Sequence, residues 1–373
     1  MVDSVSIYVH VPFCAKKCPY CHFYSILINA ANATTFAGGV LKEWQQWIPL
    51  LRGWQVETIY FGGGTPSLLG AASISSILDA ITKVSSTADS MEITLEANPE
   101  SVSYDLMKDF KQAGINRVSI GIQSFEDTLL KGLNRSHSAA KGIHSIEATA
   151  RAGFDNISID LMFDLPRQDI EMWTSTLATA MTLPIVHLSL YNLTIEPHSL
   201  FHKKRHQLQK LLPTNEESTT MLTKAQKMLA LEGFVQYEIS AFAKNHRYSK
   251  HNTGYWTGRP FIGLGPSAFS YWQGKRFHNI ANLSSYCRAL KQGSSPIDFE
   301  EILDDNARKR ELFVIGLRLI DGLDITAFEP FEATTAEVIA DLQDRKLLIK
   351  EGNNIKLSAQ GILFYDTIAA ELI

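Results

Sequence analysis

The sequence predicts an α/β fold, either a βα barrel or a doubly wound sheet, followed by a small C-terminal α+β segment. Two observations carry this prediction. Short β-branched and aromatic runs alternate about six times with helix-length segments, the pattern of parallel strands joined by right-handed crossovers. The polar and glycine-rich stretches follow the strand runs rather than precede them, and in both folds sites are built at the C-terminal strand edge.

Taken in order, the strand runs are 6–11, 58–61, 91–97, 117–122, 156–161 and 186–190, each short and apolar enough to be buried on both faces. Helix-length segments lie between them at 35–51, 72–85, 103–113, 138–152 and 170–182, with Gly114 and Gly153 where helix C-caps fall. After the first four strands come "CAKKCPYC", "GGGTPS", "NPES" and "QSF". From about residue 213 the pattern changes to a helix at 216–232, then to a stretch dense in aromatics, His, Asn and Gly that runs to 279. Residues 305–373 hold helical runs and two short strands about a turn at 352–354 in "LLIKEGNNIKLSAQG", an order that resembles a winged-helix domain. The expected division is 1–212 for the barrel, 213–300 for an extension and 301–373 for the terminal domain.

Composition narrows the function. With 373 residues, 45% hydrophobic and 20% charged, the chain is an ordinary globular protein with room for a large core. A formal net charge of -4 gives no footprint for nucleic acid, and the terminal domain mixes Lys and Arg with acids, so it reads as a covering or dimer-contact domain. No run reaches the roughly 18 apolar residues a membrane helix needs, and residues 1–11 lack signal-peptide character, so a cytoplasmic address is expected.

Three of the four cysteines, Cys14, Cys18 and Cys21, fall within "FCAKKCPYCHF". In a reducing compartment, clustered thiols serve metal or redox chemistry. At C-x3-C-x2-C spacing they can bind three irons of a [4Fe-4S] cubane and leave the fourth iron open to a small molecule. Zinc is the alternative. It normally closes with four ligands, and here no second CxxC or HxxxH supplies a fourth, although His10 and His22 lie near. By itself the GGG run is a turn, and Glu96 at the end of the third strand reads equally as a surface acid. The fourth cysteine, Cys287, reads as a core residue.

The first strand, the cysteine loop and "GGGTP" together resemble the radical S-adenosylmethionine (radical SAM) superfamily. With "EANPES", "AGINRVSIGIQSFED", "LNRSH" and "SIDLMFDLP" added, nearly the whole chain resembles the coproporphyrinogen dehydrogenase (HemN) family, most closely its HemW branch. The resemblance implies a partial (β/α)6 TIM-like barrel with the winged-helix-like domain behind it. It also implies that the open iron is chelated by S-adenosylmethionine, held by Tyr8, Tyr20, Gly63, Gly64, Thr65, Glu96, Gln123, Arg135 and Asp160. "HNTGYW" matches the HNxxYW signature of the branch, which implies a haem site at His251, Asn252, Tyr255 and Trp256, with His251 on the iron.

Two further features set this chain apart from the HemN enzyme. Phe23 stands where that enzyme is expected to continue its motif with a fourth cysteine, and that enzyme is expected to carry an N-terminal extension before the barrel, whereas here the first strand is expected from about residue 6. The implied function is therefore haem chaperoning, with oxygen-independent coproporphyrinogen III dehydrogenation or another radical reaction on a porphyrin as the rival. The implied partners are haem-acceptor proteins of the respiratory chain, with transient membrane-protein contact, and a second copy of the chain. Asp164 and Phe269 depart from the Gly and His usual in the branch, and His278, His246 and His198 are the other polar candidates near the haem motif.

Overall fold

A computed structural model of the protein describes residues 3–373. Six parallel strands, each followed by a helix or loop, run in sequence order through one sheet: β1 (Ser4–Val11), β2 (Gln55–Gly63), β3 (Ser86–Ala97), β4 (Arg117–Gln123), β5 (Ile157–Phe163) and β6 (His187–Asn192). Helices α1 (Ala30–Trp47), α2 (Ala71–Thr82), α3 (Tyr104–Gln112), α4 (Ala139–Arg151) and α5 (Ile170–Met181) make the crossovers. This is the predicted partial barrel. The strands differ from expectation by a few residues at their ends, and Gly114 and Gly153 take positive φ just past their helices.

The strands hold because a buried apolar stretch runs through each of them, from Val5, Ile7 and Val9 on β1 to Ile157 and Ile159 on β5. Two indoles tie neighbouring helices across this core. Trp44 Nε1 on α1 donates to the Ala80 carbonyl of α2 at 2.9 Å, and Trp173 Nε1 on α5 donates to the Met221 carbonyl at 2.9 Å. Each ring fills core volume while its single donor finds an acceptor.

The extension does not fold apart from the barrel. It comprises α6 (Asn215–Leu231), β7 (Val235–Glu238), β8 (Ala241–Ala243), α7 (Lys250–Trp256), β9 (Phe261–Leu264), β10 (Phe269–Trp272), β11 (Lys275–Asn279), α8 (Leu283–Lys291) and β12 (Ile297–Ile302). Its strands lengthen the same sheet at both edges, giving the order β12-β11-β10-β9-β1-β2-β3-β4-β5-β6-β8-β7. The hydrophobic core is shared, with Met221, Ile262 and Tyr286 packed alongside barrel residues. The change of pattern at 213 therefore marks a change of topology rather than a boundary between cores.

A second core belongs to the terminal domain, where α9 (Asp305–Gly316), α10 (Ala333–Asp344), β13 (Leu348–Glu351), β14 (Asn354–Leu357) and α11 (Tyr365–Leu372) enclose Phe313, Leu342, Ile355 and Ile368. The domain is fastened to the sheet by Arg318. Its guanidinium lies 4.3 Å from the Trp256 ring and within 3.2 Å of the Glu238 carboxylate. Among the described residues, no helix is long and apolar enough to cross a membrane.

Asp164 settles how this chain does without glycine at the turn after β5. Its φ is 58°, in the left-handed region, and its carboxylate accepts a hydrogen bond from the Ser218 hydroxyl of α6 at 2.5 Å. Asp tolerates this backbone better than most residues, and the bond to α6 offsets part of the strain.

Candidate functional site

The C-terminal ends of β1 to β6 open into a cavity of about 430 Å³ lined by all three clustered cysteines. The loop that carries them leaves β1 as Phe13–Cys14, which pairs with Ile26–Leu27, and it turns back where the Cys21 amide donates to the Cys18 carbonyl. "GGGT" leaves β2 directly beneath. The Gly64 amide donates to the Val11 carbonyl and the Thr65 amide to the Phe13 carbonyl. A Cβ on Gly64 would stand 2.5 Å from the Phe13 oxygen and 2.9 Å from its nitrogen, so only glycine lets the two segments meet. Gly63 has φ 106°, again a glycine backbone.

The other strand ends supply polar groups. Glu96 at the end of β3 accepts from the Tyr60 hydroxyl at 2.8 Å and from the Gly63 amide at 3.2 Å. Burial pushes its carboxyl up to about 7, against the lowering effect of these donors. Asp160 on β5 accepts from the Ser119 hydroxyl at 3.3 Å, and burial raises its carboxyl to about 6. Gln123 ends β4 beyond a register shift with φ 69°, a backbone that a non-glycine residue holds only when its surroundings fix it. Arg135 donates to the Cys18 sulfur at 3.5 Å, to the Asn98 side chain at 2.7 Å and to the Gly121 carbonyl at 2.8 Å.

Asn98 was not singled out by sequence reasoning, although it lies in the quoted "EANP". It joins the site by accepting from Arg135 while donating to the Thr65 hydroxyl, which in turn faces Cys14 sulfur at 3.9 Å. Tyr20, Gly63, Gly64, Thr65, Glu96, Gln123, Arg135 and Asp160 all line this one cavity. Tyr8 is the exception. It lies on the same face of the sheet as Tyr60, 6.2 Å away between ring centroids, but lines a different cavity, and its hydroxyl bonds His10 Nδ1 at 3.1 Å.

Among the described residues, no three His, Cys, Asp or Glu side chains converge on a single-ion site. A cubane asks for less, because each thiolate takes its own iron and Arg135 supplies positive charge beside the sulfurs. Burial raises the Cys14 and Cys21 thiols, so loading displaces protons and weakens as pH falls.

Tyr8 lines a second, mostly apolar chamber of about 530 Å³ that shares His22 and Phe23 with the first cavity. Phe23 is 52% exposed and stacks on His22 at 4.6 Å between ring centroids. Tyr255, Trp256, Phe261 and Phe269 add aromatic walls, and Leu312 of the terminal domain closes one side, which makes that domain a cover. Phe269 itself is 57% exposed, an apolar ring where the branch usually has His. His278, His246 and His198 line neither cavity.

The HNxxYW segment forms α7, and two carboxylate oxygens of Glu92 on β3 cap it by accepting from the Lys250 and His251 amides. This capping draws His251 into the sheet. Its Nδ1 bonds Thr58 Oγ1 at 2.7 Å, its Nε2 bonds the Tyr255 hydroxyl at 2.8 Å, and burial depresses its pKa to about 3. The residue expected on haem iron, His251, thus has both nitrogens engaged, and its ring lies behind Tyr255 rather than on the chamber wall. Asn252, one residue on, faces neither cavity.

Comparison with known proteins follows the same lines. The radical SAM superfamily matches residues 8–180, and the HemN C-terminal domain matches residues 303–364. The heme chaperone HemW of Lactococcus lactis is 33% identical over 95% of this chain and 94% of its own length. That of Bacillus subtilis is 32% identical over 96% of each. A zebrafish (Danio rerio) mitochondrial radical S-adenosyl methionine domain-containing protein 1 is 32% identical, with 99% of this chain and 87% of the relative covered. In three dimensions the coproporphyrinogen III oxidase HemN of Escherichia coli superposes with a TM-score of 0.87 at 23% identity, covering 99% of this chain and 90% of that one, a likeness of fold. Superfamily membership brings a [4Fe-4S] cluster and S-adenosylmethionine. The chain belongs to the radical SAM superfamily and, within it, to the HemW family.

Proposed function

We propose that this protein is a haem chaperone that holds haem in the apolar chamber beside its cluster and passes it to acceptor haem proteins, respiratory enzymes among them. The observation that carries the reading is that a thiol-lined polar cavity and an aromatic chamber lie side by side, with His22 and Phe23 in the walls of both. Relatives named heme chaperones, matched over nearly their whole length, support it.

Cys14, Cys18 and Cys21 would bind the cluster, whose open iron supplies a coordination site for S-adenosylmethionine. Gly63 and Gly64 give backbone close to that ligand, Glu96 takes its ammonium or ribose hydroxyls, and Arg135 braces the loop through Cys18 and Asn98. On the chamber side Tyr255 and Trp256 face the macrocycle, and His251 holds the Tyr255 hydroxyl. His10 is bonded at both ring nitrogens, to Tyr8 and to the Tyr24 carbonyl, as His251 is to Thr58 and Tyr255. His22 is therefore the histidine we assign to iron.

Spectral titration of cluster-loaded protein with haem tests this assignment. Uptake is expected in the wild type, a displaced Soret band in His22→Ala, and weaker binding with an unmoved band in His251→Phe. A band unchanged in His22→Ala would remove that residue from the iron.

Glu96 makes a prediction of its own. It must be ionised to accept from S-adenosylmethionine, so affinity should rise with pH through about 7 and level off above it. Glu96→Gln should bind about tenfold more weakly at pH 8 and lose that rise. Burial raises Asp160 to about 6, in the lower part of the same range, so it is the comparison of wild type with Glu96→Gln by equilibrium dialysis between pH 6.5 and 8.5 that assigns the rise. A rise that persists in Glu96→Gln would place the contact elsewhere.

A further inference from the structure

Arg259 is a cation in the wall of a mostly apolar chamber. It sits just past α7, where its own amide donates to the Gly254 carbonyl, and its Nη1 reaches two neutral oxygens, the Lys250 carbonyl at 3.1 Å and the Ser6 hydroxyl at 3.4 Å. Both bonds come from one guanidinium nitrogen. The contrast is Arg276 across the same chamber, which is neutralised by Glu311 and Glu301 at 2.6 Å each. Among the described residues, Arg259 makes no such ion pair. Glu57 and Glu92 lie within electrostatic range, yet burial outweighs them and its pKa is lowered.

A guanidinium that is half withdrawn from water and lacks a carboxylate is costly unless something supplies one. The chamber specifies what that something looks like. Tyr8, Trp256, Phe261 and Phe269 offer flat apolar surface, so the fitting ligand has a planar apolar body and a carboxylate at its rim. The fork of an arginine also suits a carboxylate better than any neutral acceptor, because two parallel N–H bonds can form at once.

We propose that Arg259 is the carboxylate anchor of the chamber, binding a propionate of a tetrapyrrole whose macrocycle lies against the aromatic wall. This rests on the haem reading above and adds how the ligand is oriented: the propionate edge lies toward α7 and the N-terminal ends of β1 and β9. Sequence reasoning gave no sign of the residue, since "TGRP" matches no motif and its place in the chamber depends on α7 packing against β1 and β2.

The test uses cluster-loaded protein and two probes, zinc protoporphyrin IX and its dimethyl ester, followed by porphyrin fluorescence. Wild type is expected to bind the free acid at least about tenfold more tightly than the ester. Arg259→Gln should weaken the acid to the level of the ester and leave the ester unchanged, and Arg259→Lys should restore part of the preference. Equal affinities in the wild type, or a preference that survives in Arg259→Gln, would overturn the anchor. So would loss of ester binding in Arg259→Gln together with no recovery in Arg259→Lys, which would mark a structural role. Failure of both probes to bind the wild type would instead bring down the haem reading, and the anchor with it.

Discussion

Cys18→Ala is expected to hold essentially no cluster after anaerobic reconstitution, with iron and sulfide content near background and no chelated S-adenosylmethionine. Two thiolates remain, and a cubane held at two corners leaves two irons open to solvent and exchange. Cys18 also has a second tie: it accepts from Arg135, which reaches Asn98 and Gly121 in the same motion, so its loss frees the guanidinium from one partner. Cys287→Ala is the matched control. Its thiol sits between α8 and α1, 3.5 Å from the Thr35 carbonyl, and lines neither cavity, so that variant should load a full cluster. Retention of a full cluster by Cys18→Ala would break the ligand assignment.

The second large effect comes from a residue with no functional group. Gly64→Ala places a methyl 2.5 Å from the Phe13 carbonyl oxygen and 2.9 Å from both the Phe13 nitrogen and the Val11 oxygen. All three atoms are backbone, and both flanking residues are fully buried, so none can swing aside as a side-chain tip would. Relief requires β1 and the cysteine loop to part from "GGGT". The expected cost is about 3 kcal/mol of stability, at the upper end of overpacking, with cluster loading reduced because Cys14 follows Phe13 directly. Gly38→Ala tests the reasoning from the other side. Gly38 lies exposed within α1 with open space around it and no positive φ, so no loss of stability is expected, with the cluster intact. Denaturant midpoints and iron content on the same preparations separate the two effects, and equal losses for both variants would contradict the packing argument.

Much of this site could be read in the sequence because it is local. The cysteine loop, the glycine run, Glu96 and Gln123 each sit at the end of the strand that precedes them, so strand order places them together at one sheet edge without knowledge of any side-chain contact. What stayed hidden is long-range. Tyr8 was grouped with the cofactor residues, yet β1 is flanked on one side by β2 and on the other by β9, a strand 250 residues later, and Tyr8 turns toward the chamber formed there. His251 reads as an open ligand within "HNTGYW". Only the Glu92 cap on α7 and the Thr58 hydroxyl on β2, both distant in sequence, show that its ring is drawn inward.

The extension carries the same lesson. A change of residue pattern at 213 looks like a domain boundary, but β9 to β12 continue the sheet past β1, and β8 with β7 continue it past β6. Strand pairing between segments so far apart leaves no periodic signal in either one. The terminal domain was legible as a unit, since its alternation of helices and a tight β-turn is local. That Leu312 would complete the chamber was not.

Carriage of haem for delivery in the chamber beside the cluster is tested by anaerobic transfer: cluster-loaded protein charged with haem is mixed with an apo haem protein of the respiratory chain, the two are separated, and Soret absorbance is followed in each. Haem should leave this chain and appear in the acceptor, faster than from free haem at equal concentration, while coproporphyrinogen supplied under the same reducing conditions is returned unchanged. Failure to take up or release haem, or turnover of coproporphyrinogen to protoporphyrinogen by the loaded protein, would contradict it.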